Sequence, residues 1–147
     1  MDNDSSLEKI YTQRPSLPNL NELNPYLKDI WKSKWLSNNG KYTRLLESKL
    51  SEYLDVPYIS LVANGTSGLL IALKALEIKG EVITTPFSYV ATANSILWNN
   101  AKPIFVDIEK DGFNIDPIEI EKSITDQTSA ILAVHCYGFP CQVERIK

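Results

Sequence analysis

Short apolar runs punctuate the second half of this sequence: Tyr58-Ile-Ser-Leu-Val-Ala63, Val82-Ile83, Ile104-Phe105-Val106 and Ile131-Leu-Ala-Val134. Between them lie stretches of helical length and pattern. The reading is a strand over Ile59–Val62, a helix over Ser67–Leu76 and a turn at Lys79-Gly80. A strand over Glu81–Thr85, a helix over Tyr89–Trp98 and a strand over Pro103–Asp107 follow. A helix starting at Asp116-Pro117 and running to Ser123, then a strand over Ala130–Val134, complete the series. Strands alternating with helices require crossover connections, and crossovers build a largely parallel sheet. The runs at Val82, Ile104 and Ile131 are apolar on both faces, as strands covered by helices on two sides must be. An α/β fold is the outcome.

The first half reads differently. Residues Met1 to Thr12 are polar and expected to be loose, and Arg14-Pro-Ser-Leu-Pro18 is extended by its prolines. Asn24-Pro25 signals a helix start with Tyr26, Leu27, Ile30 and Trp31 on its apolar face. Ser37-Asn-Asn-Gly40 is a turn. A second helix from Thr43 to Tyr53 is expected to bury Leu45, Leu46, Leu50 and Leu54.

The segment Asn64-Gly-Thr-Ser-Gly-Leu-Leu70 carries the strongest chemical signal. It joins an expected strand to an expected helix, so Gly65, Thr66 and Ser67 present backbone N–H groups and hydroxyls at the positive end of a helix dipole. That arrangement suits a dianionic phosphate. A plain helix cap uses the same residue types, so the segment needs support from elsewhere in the chain.

Support comes from Glu81-Val-Ile-Thr-Thr-Pro-Phe-Ser-Tyr-Val-Ala-Thr-Ala-Asn94, Pro103-Ile-Phe-Val-Asp-Ile108 and Ala133-Val-His-Cys-Tyr-Gly-Phe-Pro140, in this order and spacing. Together with Trp35-Leu-Ser-Asn-Asn-Gly40, Leu46-Glu47 and Tyr53-Leu54, they resemble the DegT/DnrJ-type sugar-nucleotide aminotransferases. These are fold type I enzymes that use pyridoxal 5'-phosphate (PLP). The resemblance runs from about Pro15 to Lys147. It implies a loose arm over residues 1–14 and, over 15–147, the N-terminal portion of the family's large domain, a three-layer α/β/α unit around a mostly parallel sheet.

The resemblance assigns Gly65, Thr66 and Ser67 to the cofactor phosphate and Tyr89 to stacking on the pyridine ring. An aromatic residue at a helix start is more often core, so the family match carries the Tyr89 assignment; Phe87 reads as packing. His135 and Tyr137 close an expected strand and face the crevice where ligands of such sheets sit. His135 is read as a pocket wall rather than a general base. Asp107 reads as a strand-end turn or cap. Trp35 and Ser37 are placed on the substrate side by resemblance alone.

No residue is assigned a catalytic role. The family's pyridinium-binding aspartate, in an Asp-x-Ala strand end, and its Schiff-base lysine, in a Ser-Phe-x-x-x-Lys segment, have no counterpart here. Lys28, Lys32, Lys34, Lys49 and Lys122 read as solvated helix faces, and Lys74 as the outward face of the helix after the phosphate turn. The last residues, Gln142 to Lys147, read as the start of a further helix, so the sequence looks truncated. The resemblance implies amino transfer from an amino acid, glutamate in most of the family, to a nucleotide-linked keto-sugar in a homodimer, with weak or absent cofactor binding by this stretch alone. The alternative is a non-catalytic remnant or accessory protomer of the same family. Dehydratase relatives that use the same cofactor also stay open. A dinucleotide-binding fragment would need a Gly-x-Gly-x-x-Gly turn, which the sequence lacks.

Composition sets outer bounds. The sequence has 147 residues, a formal net charge of −3 and 44% hydrophobic residues. That argues against a partner bound through phosphate neutralisation, such as a nucleic acid. No run is long enough to span a bilayer and no leader pattern is seen, so the expected location is the cytoplasm. Cys136, Cys141 and His135 are too few and too closely spaced for a zinc site, and the cysteines read as small, partly buried residues.

Overall fold

The computed structural model describes residues 10–147. Most of the expected loose arm, residues 1–9, lies outside the described residues. The chain divides into two compact units, one ending at Leu61 and one spanning Val62–Lys147.

The first unit holds α1 (Leu20–Ser33) and α2 (Lys41–Leu54). Helix α1 starts ahead of the expected Asn24-Pro25 boundary. Asn19 is the cap, its side chain accepting from the Asn21 N–H at 2.9 Å, and Pro25 falls inside the helix. A proline so close to the N-terminus removes one backbone bond, with Asn21 as the carbonyl left over. The helices meet through an edge-to-face pair, Tyr26 and Tyr42, with centroids 5.3 Å apart. Asp29 accepts from Lys41 Nζ at 2.9 Å and from the Tyr42 hydroxyl at 2.7 Å, and the Lys41 bond leads in holding the Asp29 carboxyl below its ordinary pKa. The apolar stripe of α2 is not buried as expected. Leu45, Leu46 and Leu54 are exposed and Leu50 is half-buried, and the contacts of α2 with α1 run through Tyr42 and Lys41 instead.

The expected strand over Ile59–Val62 does not form. The Leu61 N–H finds a side-chain acceptor instead, Glu47 Oε1, at 3.0 Å.

The second unit is built on a parallel three-stranded sheet of β1 (Glu81–Thr84), β2 (Lys102–Phe105) and β3 (Thr128–Ile131), in the order β2-β1-β3. Glu81, Val82, Ile83 and Thr84 pair with Lys102, Pro103, Ile104 and Phe105. Val82 and Ile83 pair with Ala130 and Ile131 across a bulge at the start of the strand. The strands α3 (Gly65–Ala75), α4 (Ala91–Trp98), α5 (Pro117–Ser123) and α6 (Val143–Ile146) flank are thus the centre of a layered unit.

Alternation along β1 sends Val82 and Ile83 to opposite faces. On one face Val82, Ala130 and Leu132 pack with Leu73 of α3, Ile96 of α4 and Ala101. On the other, Ile83, Ile104 and Ile131 pack with Val106, Ile115, Ile120 of α5, Cys141 and Ile146 of α6. Helices therefore cover both faces, which explains why these strands are apolar throughout. Regular pairing is shorter than the sequence suggests, ending at Ile131 rather than Val134, although Leu132 N–H still donates to Ile83 O at 2.8 Å.

Glu81 anchors the amino end of the sheet. Its carboxylate accepts from Lys102 Nζ and from the Thr125 hydroxyl, each at 2.9 Å. These two bonds, the Lys102 bond first, hold the carboxyl below its ordinary pKa. No helix among the described residues is long and apolar enough to cross a membrane.

Candidate functional site

The carboxyl ends of parallel strands collect the loops that bind ligands, because the chain leaves the sheet there to enter each crossover. In the second unit these loops are Thr85–Val90 after β1, Val106–Asp116 after β2 and Leu132–Gln142 after β3. The sense of α3, which leads through Gly80 into β1, directs its N-terminus toward the same end.

At that N-terminus the cap is Asn64, whose side chain accepts from the Ser67 N–H at 2.9 Å. The helix begins at Gly65, two residues ahead of expectation, so Gly65, Thr66 and Ser67 form its first turn. Asn64 uses the Ser67 N–H, which leaves the N–H groups of Gly65 and Thr66 outside the intrahelical ladder. A Cβ built on Gly65 would meet nothing within 4 Å, so the backbone here is open to approach. These are the features a phosphate requires: free N–H donors, adjacent hydroxyls, a favourable dipole and access.

Tyr89 precedes α4 and is 76% exposed. It is not a core residue, and the Tyr89 carbonyl receives the Thr92 N–H at 2.9 Å. Tyr89 and Tyr137 line one open depression of about 440 Å³, together with Pro86, Phe87, Ser88 and Cys136. Phe87 packs as expected, near-parallel to Phe113 at 6.1 Å and edge-on to Tyr137 at 6.4 Å.

His135 follows a different pattern. Its Nδ1 accepts from the Cys141 N–H at 2.9 Å, so the ring ties together the two ends of the loop. His135 is not among the residues lining the depression that holds Tyr89 and Tyr137, and neither are Gly65, Thr66 and Ser67. Asp107 acts locally: Oδ1 accepts from the Ile108 N–H at 2.8 Å, and its carbonyl accepts from Asp116 N–H at 3.1 Å. Cys141 is buried, which pushes its thiol pKa up, while Cys136 is half-buried.

Trp35 and Ser37 belong to the first unit and share a depression there of about 260 Å³ with Asp29, Lys41 and Tyr42. Trp35 Nε1 donates to Asn38 O at 3.3 Å, and the Arg44 guanidinium lies 5.7 Å from the ring centroid.

Asn114 escaped the sequence reading. It is 6% exposed, and its amide bonds only to the loop after β3. Nδ2 donates to Phe139 O at 3.1 Å and to Pro140 O at 3.0 Å, while Oδ1 accepts from Cys136 N–H at 3.0 Å. Nothing in the local sequence around Gly112-Phe-Asn114 announces such distant partners.

Chemically the region offers an anion cradle, exposed aromatic rings and a fixed loop. The Tyr89 depression is lined by the Cys136 thiol and the Ser88 hydroxyl, and by no lysine. Lys74 instead lines two hollows beside α3 and the end of α4, one apolar and one mostly polar.

Comparison with known proteins matches this geometry. The sequence profile of the DegT/DnrJ/EryC1/StrS aminotransferase family matches residues 19–147. A dTDP-4-amino-4,6-dideoxy-D-glucose transaminase of Escherichia coli is 60% identical over 134 residues, which is 91% of this chain and 36% of the relative. The crystal structure of DesI in the presence of its TDP-sugar product superposes with a TM-score of 0.84 at 32% identity, covering 90% of this chain and 34% of that one. NtdA of Bacillus subtilis with bound PMP, the aminated form of the cofactor, gives a TM-score of 0.78 at 32% identity, over 95% and 34% of the two chains. This chain spans about a third of the length of each.

Proposed function

Because the chain belongs to the DegT/DnrJ/EryC1/StrS aminotransferase family, we propose that it forms the N-terminal part of a PLP-dependent enzyme that aminates a nucleotide-linked keto-sugar. The observation that carries this is the open first turn of α3 at the ligand-binding end of a parallel sheet, on the side where Tyr89 also stands exposed. Gly65 and Thr66 would donate N–H groups to the cofactor phosphate, with the Thr66 and Ser67 hydroxyls beside them. Tyr89 would stack on the pyridine ring, and Tyr137 would wall the substrate side with His135 fixing its loop. Trp35 and Ser37 keep their substrate-side assignment by resemblance. When bound, PLP supplies the electron sink on which an amino group is exchanged between carbon skeletons.

The 60% identity to the E. coli transaminase makes the keto counterpart of its dTDP-linked amino sugar the first substrate to test, with glutamate as donor. We place the activity in a cytoplasmic homodimer. The exposed apolar residues Ile71, Leu97 and Trp98 on α3 and α4 support association with further protein surface.

The absence of a lysine from the Tyr89 depression favours a second statement about these residues by themselves: they hold the cofactor weakly and transfer no amino group. One experiment tests both. Residues 15–147 replace the matching segment of the E. coli transaminase, and cofactor absorbance and amino transfer are measured in this hybrid and in the chain alone. The hybrid is expected to keep both, and Ser67→Ala or Tyr89→Ala to weaken cofactor retention about tenfold, the loss of one hydrogen bond or one stacking contact. A folded hybrid without cofactor refutes the proposal, and amino transfer by the chain alone refutes the second statement.

A further inference from the structure

The loop after β3 adopts a conformation that its own sequence does not favour. Tyr137 has φ +51° and ψ +23°, and Gly138 has φ +83°. A left-handed tyrosine is costly, and such a residue persists only where its surroundings fix it. Two groups do so here. The His135 ring accepts from the Cys141 N–H, closing the loop on itself. Asn114, reaching from the loop after β2, satisfies the N–H of Cys136 and the carbonyls of Phe139 and Pro140.

Asn114 is itself held rigidly. Its carbonyl accepts from Glu109 N–H at 2.9 Å, and the adjacent Ile115 forms an antiparallel bridge with Ile108. Its neighbour Phe113 packs edge-on against Tyr137 at 5.4 Å and tilted against Phe139 at 6.2 Å. A buried amide with both donors and its acceptor engaged on one loop fixes geometry in a way an apolar contact does not.

We propose that Asn114 is a positioning residue for the substrate side of the site: its buried amide holds residues 136–140 so that Tyr137 stands beside Tyr89 in their shared depression. Asn114 touches neither cofactor nor substrate and acts through Tyr137. The assignment rests on the aminotransferase reading above. Position 114 thereby governs sugar recognition more than amino-donor recognition or turnover.

The test uses Asn114→Asp, which turns two donated bonds into repulsion between oxygens, and Asn114→Ala, which deletes them without repulsion. Hydrogen exchange on the full chain and on the hybrid is expected to quicken at least tenfold over residues 135–141, with β1 unchanged. In the hybrid, KM for the keto-sugar rises about tenfold while kcat and KM for glutamate stay within twofold. Exchange that quickens evenly through β1, β2 and β3, or a keto-sugar KM that does not move in either variant of an active hybrid, overturns the role of Asn114. An unsubstituted hybrid that transfers no amino group overturns the aminotransferase reading instead.

Discussion

Gly80 lies where the helical layer hands the chain to the central strand, and its substitution by alanine has a cost that follows from the coordinates. Gly80 has φ +77°, and a Cβ built there would lie 2.5 Å from Gln127 O. That oxygen accepts from Glu81 N–H at 2.9 Å, while Gly80 O accepts from Lys102 N–H at 2.8 Å. The left-handed backbone costs an alanine about 1–2 kcal/mol, of which about 0.4–1 is recovered because alanine also restricts the unfolded chain. The overlap adds more, because Gln127 must withdraw and the Glu81 N–H loses its acceptor, for about 1–3 kcal/mol. Gly80→Ala should therefore destabilise by about 3 kcal/mol. Gly138 is the internal control: its φ is +83°, but a Cβ there meets nothing within 4 Å. Gly138→Ala should cost only the backbone difference, roughly 0.5–1 kcal/mol. Urea unfolding followed by far-UV circular dichroism separates the two, since a gap of about 2 kcal/mol moves the midpoint by about 0.7–2 M at ordinary denaturant slopes. Equal midpoints would mean the Gln127 carbonyl yields freely, and the steric part of the reasoning would be wrong.

Two further outcomes follow from titrating groups. The Glu81 carboxyl is held below its ordinary pKa by Lys102 and Thr125, so its stabilising contribution is present above the unfolded value and is lost as pH falls through the lowered folded value. Wild type should be more stable than Glu81→Gln at neutral pH, with the gap closing below about pH 4; a gap that stays constant through acid unfolding would remove the carboxylate from the account. Cys141 is buried with its thiol pKa raised, and Cys136 is half-buried. An aromatic disulfide reagent at neutral pH should therefore modify Cys136 first and Cys141 only on the timescale of unfolding, and comparable rates for both would show that the loop opens readily.

The layered fold was legible because each of its signals is local. Val82-Ile83, Ile104-Phe105-Val106 and Ile131–Val134 are apolar on both faces, and only strands between two helical layers need that. Asp116-Pro117 marked a helix start because a capping carboxylate and a proline at the first helical position act within one turn; Asp116 does accept from Ile118 N–H at 2.8 Å. The misreadings concern what partners do. Ile59–Val62 has strand composition, but composition supplies no neighbouring edge, and its one side-chain bond goes to Glu47. Pro25 looked like a helix start because proline fits the first helical position, yet Asn19 offered a better cap upstream.

The site divides along the same line. The open first turn at Gly65-Thr-Ser67 was legible because a helix cap and its unpaired N–H groups are properties of consecutive residues. Tyr89 was ambiguous, since neither core nor ligand use of an aromatic leaves a sequence mark, and its exposure excludes only the core use. Asn114 was invisible. Its partners lie 22 to 26 positions away, and its three bonds exist because β2 and β3 both run parallel to β1, which brings the loops after them to the same end of the sheet. Residues that open a helix turn through their own backbone can be found by reading along the chain. Residues that shape a pocket through another segment emerge only once the strand order is known, because that order decides which loops become neighbours.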